Sequence, residues 1–208
     1  MVNVHYIFDP MCGWCYGASE LIAQFDHMEE VHLQLHPGGM IQKTPISPDF
    51  RQHILEADKH IETQTGQPFG DTYVKKVASN DALVLDSYIT AQAIIAAERL
   101  AQCGLKMLKQ IQRAHYQSGL PVYQPETLAE IARQLGFSPE QWEQAMAAAQ
   151  NDVDSEIQMT RQLMQRFGLG GFPSMVIEKN GQWQTVIISQ YYGSPERWSA
   201  FWEKVLAA

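Results

Sequence analysis

Cysteine is scarce in this sequence, with 3 among 208 residues. A small secreted scaffold stapled by disulfides needs a far denser set, so that class is excluded. Clustered basic charge is also missing: 15 Lys and Arg stand against 23 Asp and Glu, a net charge of -8. Phosphate contacts draw on grouped Lys and Arg, so no nucleic-acid partner is expected. The chain lacks the roughly 18 consecutive apolar residues that a membrane helix requires, so no membrane partner is expected either. Met1 to Tyr6 hold no Lys or Arg and no extended apolar run. No signal peptide is read there, and a cytoplasmic location is expected. Repeats and low-complexity segments are absent. What remains is 45% hydrophobic and 18% charged. That suffices for the core of one domain with an insertion, or of two small domains.

Residues 2–8 alternate and carry Val2, Val4, Tyr6, Ile7 and Phe8, which predicts a strand broken by Asp9-Pro10. Ala18, Leu21, Ile22, Phe25 and Met28 then share one face of a helix. Val31, Leu33 and Leu35 alternate again up to Pro37-Gly38-Gly39, giving a βαβ unit and a parallel pair. After a Pro-rich linker from Thr44 to Pro48, every periodic segment to about residue 150 is helical, and four or five helices are expected. Ser87 to Leu100 is apolar nearly all round and predicts a buried central helix. Ser138-Pro139-Glu140-Gln141 has the pattern of a capping box. Val153 to Phe167 forms a last long helix. Two strands follow around Met175-Val176-Ile177 and Thr185-Val186-Ile187-Ile188, joined by the hairpin signal Asn180-Gly181. Ser194-Pro195 opens a final helix. The fold class is α/β: a βαβ–αββα domain over 1–43 and 151–208, with an all-helical domain, 44–150, inserted after the first βαβ unit.

Cys12-Gly13-Trp14-Cys15 falls between the first strand and the first helix. A cysteine at a helix N-terminus meets the positive end of the dipole and free backbone N–H groups, and both favour the thiolate. A spacing of three brings the two sulfurs close enough for a disulfide. Cys12, at the tip, is expected to be an exposed nucleophile and Cys15, inside the first turn, the resolving thiol. A CxxC is also half of a zinc site, but zinc needs two further ligands. There is no second CxxC, and His32 and His36 are four apart in a strand, about 13 Å along the chain. No metal is therefore expected. Cys103 stands alone near a helix end and reads as a small buried hydrophobe. Gly171-Phe172-Pro173 precedes the hairpin. With a CxxC and this element order, Pro173 is expected to be cis and its loop to face the cysteines. The backbone of Phe172 would then offer N–H and C=O to an extended substrate.

These motifs, Asp9-Pro10-Met11-Cys12-Gly13-Trp14-Cys15 and Gly171-Phe172-Pro173, resemble those of the DsbA family of the thioredoxin superfamily. Within it the chain is most similar to the bacterial protein-disulfide isomerase branch, related to FrnE-like proteins. The resemblance spans the whole chain. It implies a thioredoxin fold with a helical insertion and thiol–disulfide exchange through a redox-active centre. It also implies protein thiols or disulfides as substrates, a thiol reductant or oxidant as partner, and no cofactor. Trp14, Phe172 and Pro173 become the expected substrate-binding residues.

Three departures from the family pattern matter. Gly13-Trp14 replaces the Pro-His or Pro-Trp common between the cysteines, which removes one source of thiolate stabilisation. Many relatives carry a buried acid six residues before the first cysteine, where this chain has Tyr6. Asp9 is nearer, and either orients the site or caps a turn. His36, at the end of the second strand, is either a candidate site residue or, on the leading reading, part of an exposed turn, and Trp14 is read as an exposed contact residue. Two rival functions stay open. One is a glutathione-dependent transferase or isomerase of the kappa or 2-hydroxychromene-2-carboxylate isomerase type, which generally needs no CxxC. The other is a non-catalytic binding module whose CxxC is only a redox switch.

Overall fold

A computed structural model describes residues 1–207 of the chain. In chain order the elements are β1 (Val2–Phe8), α1 (Gly13–Gly17), α2 (Ser19–Ala23), β2 (Val31–Pro37), β3 (Thr44–Pro45), α3 (Pro48–Thr65) and α4 (Asp71–Ala78). Then come β4 (Val84–Leu85), α5 (Ser87–Ala101), α6 (Gly104–Tyr116), α7 (Pro125–Gln134), α8 (Pro139–Gln150) and α9 (Val153–Arg166). The chain closes with β5 (Ser174–Lys179), β6 (Gln182–Val186) and α10 (Pro195–Ala207).

The main sheet has the order β2-β1-β5-β6. β1 is central and buried at every residue but Asn3, with five apolar or aromatic residues among its seven, as a strand covered on both faces requires. It runs parallel to β2 from Val2↔Val31 to Phe8↔Pro37, and antiparallel to β5 from Asn3↔Glu178 to Ile7↔Ser174. The β5–β6 hairpin turns at Asn180-Gly181, whose φ values of 52 and 76 suit the twist of a two-residue turn. On one side Trp198 and Trp202 of α10 bury their rings edge-on against Phe25. α9 packs on β2. This is the thioredoxin-type arrangement, βαβ then αββα, with the helices between carried as an insertion.

Within that insertion α5 is the buried axle, packed against α6, α7, α8 and α9. Its Ala and Ile residues let those helices approach closely. The Ser138 hydroxyl accepts from the Gln141 amide while the Gln141 side chain accepts from the Ser138 amide, closing the capping box of α8. Such a cap contributes about 1 kcal/mol.

Four local differences from the sequence pattern have physical causes. The single helix expected after the cysteines is broken into α1, α2 and a 3₁₀ turn over Gln24–His27. Gly17, a poor helix former, is the last residue of α1 and lies hard against α3: a Cβ there would fall 2.9 Å from Ile61 Cγ2. Residues 48–150 hold six helices rather than four or five, since α4 was too short and too polar to declare itself. Only Tyr73 and Val77 of α4 are buried. Part of the expected linker is instead a two-residue ladder, Thr44↔Leu85 and Pro45↔Val84. Finally, the last strand stops at Val186: Ile187 turns outward and Ile188 is buried in a 3₁₀ turn.

Candidate active site

The β1–α1 junction puts both cysteines at the sheet's C-terminal edge. Both are free thiols. Cys12 precedes the first residue of α1 and its extended backbone, φ -90 and ψ 118, turns the chain into the helix. Its Sγ lies 3.6 Å from the Phe172 carbonyl oxygen. The Cys15 thiol donates a hydrogen bond that, with the backbone N–H groups of Cys15 and Trp14, holds the Cys12 pKa below the ordinary thiol value. Burial and the Asp9 charge oppose this without overturning it. Cys15 moves the other way. Burial pushes its pKa well up, and its hydrogen bond to Cys12 and the charges of Cys12 and Asp9 add to the shift. The pair is thus split into one thiolate-forming and one proton-keeping sulfur. Cys12 is less open than its position in the sequence implies, at 8% exposed. The Phe172 loop covers it.

Asp9 is fully buried, and its carboxyl accepts from three donors. Its Oδ1 accepts from the Met11 amide at 2.9 Å, capping the turn into the cysteines, and from the Ser87 hydroxyl at 2.7 Å. Its Oδ2 accepts from the Met40 amide at 2.6 Å. The Asp9 amide itself donates to Cys15 Sγ at 3.4 Å. One carboxyl therefore joins the cysteine loop, the exit of β2 and the first turn of α5. Burial raises its pKa, and the three donors pull it back.

The Phe172–Pro173 peptide is cis. The Phe172 ring turns down onto Gly38, where a Cβ would lie 2.0 Å from its Cζ. The side chain is thus spent on packing, and the backbone carbonyl faces the cysteine. Trp14 is half-buried rather than exposed. Tyr192 stacks on it at 5.6 Å between ring centroids, its hydroxyl donates to the Trp14 carbonyl at 3.2 Å, and His60 meets the indole edge-on. Trp14, Tyr192, Gln64, Phe172, Pro173 and Ser174 line a groove of about 510 Å³. Tyr192 and Gln64 carried no motif and escaped sequence reasoning.

Tyr6 sits below the cysteines, 1% exposed. Burial and then the charge of Cys15 push its pKa well up, so it stays a phenol. His36 is not in a turn: it lies within β2, half-buried, with Nε2 3.0 Å from His5 Nδ1 and the rings stacked. Burial and His5 lower its pKa to about 4, so both imidazoles are neutral at pH 7. Cys103 is half-buried at the start of α6. Among the described residues no three His, Cys, Asp or Glu gather as a metal site.

A second buried carboxyl lies against Gly13, between the cysteines in sequence, and it escaped sequence reasoning. Asp58 of α3 is 6% exposed, and the Tyr73 hydroxyl donates to its Oδ2 at 2.9 Å. Its Oδ1 would be 3.2 Å from a Cβ on Gly13. Gly13 and Gly17 form one smooth face of α1, and α3 rests on it through Asp58, Ile61 and Thr65. Gly13 is therefore a close-packing residue as well as the spacer between the cysteines. The signal that could have found Asp58 is an acid on the apolar stripe Ile54–Ala57–Ile61.

Comparison with known proteins agrees with this geometry. Residues 3–191 match the DSBA-like thioredoxin domain family. The cytosolic disulfide reductase DsbM from Pseudomonas aeruginosa is 36% identical, with a TM-score of 0.92 over 99% of this chain and 98% of that one. A second DsbM structure, with GSH, gives 34% identity and a TM-score of 0.91 over 99% and 100%. DsbA of the same organism is 14% identical with a TM-score of 0.55, over 97% of this chain and 80% of that one, and supports the fold alone. No curated protein matches the chain.

Proposed function

The chain belongs to the DSBA-like thioredoxin domain family and is a thiol–disulfide oxidoreductase; from that premise we propose that Cys12 and Cys15 carry the exchange and that the protein works as a disulfide reductase in the cytosol. The observation that carries this reading is the opposed perturbation of the two thiols. Cys12, as thiolate, attacks a substrate disulfide beside the Phe172 carbonyl. One substrate sulfur leaves and a mixed disulfide forms. Cys15 then loses its proton, attacks Cys12 Sγ and expels the second sulfur, leaving Cys12–Cys15 oxidised and the substrate reduced. The groove of Trp14, Tyr192, Phe172 and Pro173 receives the chain flanking the substrate sulfur, with Asp9 fixing the loop that bears Cys12. A thiol such as glutathione returns the pair to the dithiol. The glutathione-bound DsbM structure supports that choice of partner, and the description of DsbM as a cytosolic reductase supports the direction and the compartment.

Insulin reduction with glutathione as electron source tests the assignment. Cys12→Ser is expected to lower turnover by about a thousandfold or more, as loss of a nucleophile does. Cys15→Ser should instead accumulate a mixed disulfide on Cys12, visible by mass spectrometry. Glutathione conjugation or isomerisation surviving in Cys12→Ser would overturn the reading.

A further inference from the structure

An open sheet edge is usually guarded. A lysine or other charge, a proline, a bulge or a covering segment keeps other chains from pairing with its free N–H and C=O groups. β6 is the outer strand of the main sheet and has none of these guards. Its residues, Gln182-Trp183-Gln184-Thr185-Val186, carry no charge and no proline. Its register with β5 runs unbroken from Lys179↔Gln182 to Met175↔Val186, so there is no bulge. Gln182 to Thr185 are all exposed. β2, at the other edge, is half-buried along most of its length and ends in Pro37.

The register also says which groups are free. Along an antiparallel pair, residues alternate between those that bond across it and those whose N–H and C=O groups point away. A two-residue turn closes on a bonded pair, here Lys179 and Gln182 on either side of Asn180-Gly181. Counting from there, Gln184 and Val186 bond inward, while Trp183 and Thr185 point their backbone groups outward. The Trp183 ring, stacked on His5 and Phe167, holds the strand in place from one face.

This edge leads to the cysteines. From Thr185 to Ile187 the chain runs into the groove lined by Trp14, Phe172 and Pro173. Ile187 stands at the junction, 59% exposed. Among the described residues, no charged side chain lines that groove. We propose that β6 is a docking edge for polypeptide substrates: the segment flanking the reactive cysteine adds to the sheet as a fifth strand, bonded to the outward groups of Trp183 and Thr185. This rests on the reading of Cys12 and Cys15 as the exchange pair and names its substrate class, a cysteine within an extended, uncharged stretch of chain. The start of β5, beside Pro173, lies two inter-strand spacings from a strand added outside β6. That is about 10 Å, or about three extended residues. Glutathione, with one residue on each side of its cysteine, meets Phe172 but cannot reach the edge.

The test uses peptides whose single cysteine is joined to thionitrobenzoate, with no, three or seven alternating Thr and Gln residues on one side or the other. The readout is the second-order rate at which the reduced protein releases thionitrobenzoate. The rate should change little from no residues to three. From three to seven it should rise about tenfold on one of the two sides, the worth of about two backbone hydrogen bonds. Thr185→Pro removes an outward N–H while leaving the inward ladder intact, and its ring blocks pairing. It should bring long and short peptides to one rate, whereas Thr185→Val keeps the amide and should keep the gain. Should Thr185→Pro not fold, N-methylation of alternate residues in the long flank removes the same bonds from the peptide side and decides alone. A rate independent of flank length, or a gain that survives Thr185→Pro or N-methylation, overturns the docking edge and leaves the exchange intact. Absence of flank dependence, with a dimer in sedimentation that Thr185→Pro splits, would give the edge to a second copy of the chain and also overturn the proposal. Release no faster than in Cys12→Ser would instead overturn the exchange reading itself.

Discussion

Two buried carboxyls lie at the cysteine motif, one before it and one against Gly13, and they are held in opposite ways. Asp9, on the loop from β1, accepts from three donors belonging to three separate segments. Asp58, on the inserted helix α3, accepts from one. Both lose hydration, so burial raises both pKa values. The difference lies in what opposes that cost. Around Asp9 the protein has replaced water with a full set of donors, and the carboxyl acts as a fastening. Around Asp58 it has not: one hydroxyl, that of Tyr73, meets the carboxyl, and burial raises its pKa to about 7. Burial alone therefore does not say how firmly an acid is held, whereas the number of segments that donate to it does.

The largest effect that would break this contrast is at Asp9. Asp9→Ala strands the Met11 amide and the Ser87 hydroxyl in a buried site and leaves the part-buried Met40 amide without its acceptor, and each orphaned buried donor costs about 1–3 kcal/mol. A loss of about 5 kcal/mol is expected in urea unfolding. A cost under about 1 kcal/mol would mean the fastening is dispensable.

The next effect is a pH dependence that belongs to Asp58. Its pKa is about 7 in the fold and about 3.9 in an unfolded chain. Between those values the folded form holds a proton that the unfolded form has released, so stability falls as pH rises from about 4 to about 7 and then levels. The span attributable to this group is of the order of 4 kcal/mol. Asp58→Asn should remove that part of the slope when urea midpoints are compared at about pH 4.5 and about pH 8.

The smallest effect sharpens the comparison on the helix side. Gly13→Ala places a methyl 2.9 Å from Ile61 Cδ1 and 3.2 Å from Asp58 Oδ1. Overpacking of this kind costs about 1–3 kcal/mol. Melting curves should show the loss, and Ile61→Val in the same chain should recover part of it. A neutral Gly13→Ala would mean that α1 does not depend on close contact with α3.

The contrast also marks what a sequence can reveal. The strands, the Asn180-Gly181 turn, the CxxC at its junction and the interrupted αββα order all follow from period and local chemistry. Asp9 was visible because it neighbours Cys12 in the chain. Asp58 and Tyr192 stand 46 and 180 positions beyond Cys12. They reach the site only through the way α3 and the last 3₁₀ turn pack, which no local pattern encodes. The exposure of Trp14 and the place of His36 were misjudged for the same reason: stacking by Tyr192 and by His5 is set by the tertiary fold. α4 was missed because a two-residue buried stripe is too faint a period.

The glycine face of α1 has a consequence for anyone wishing to redesign this centre. The family pattern often places Pro-His or Pro-Trp between the cysteines, where this chain has Gly13-Trp14. Here the first of the two is pinned by a helix from another part of the chain, and a proline ring in its place would collide with Ile61. The dipeptide and the facing residues of α3, Asp58 and Ile61, therefore form one packing unit, and a foreign dipeptide calls for a matching change on that helix.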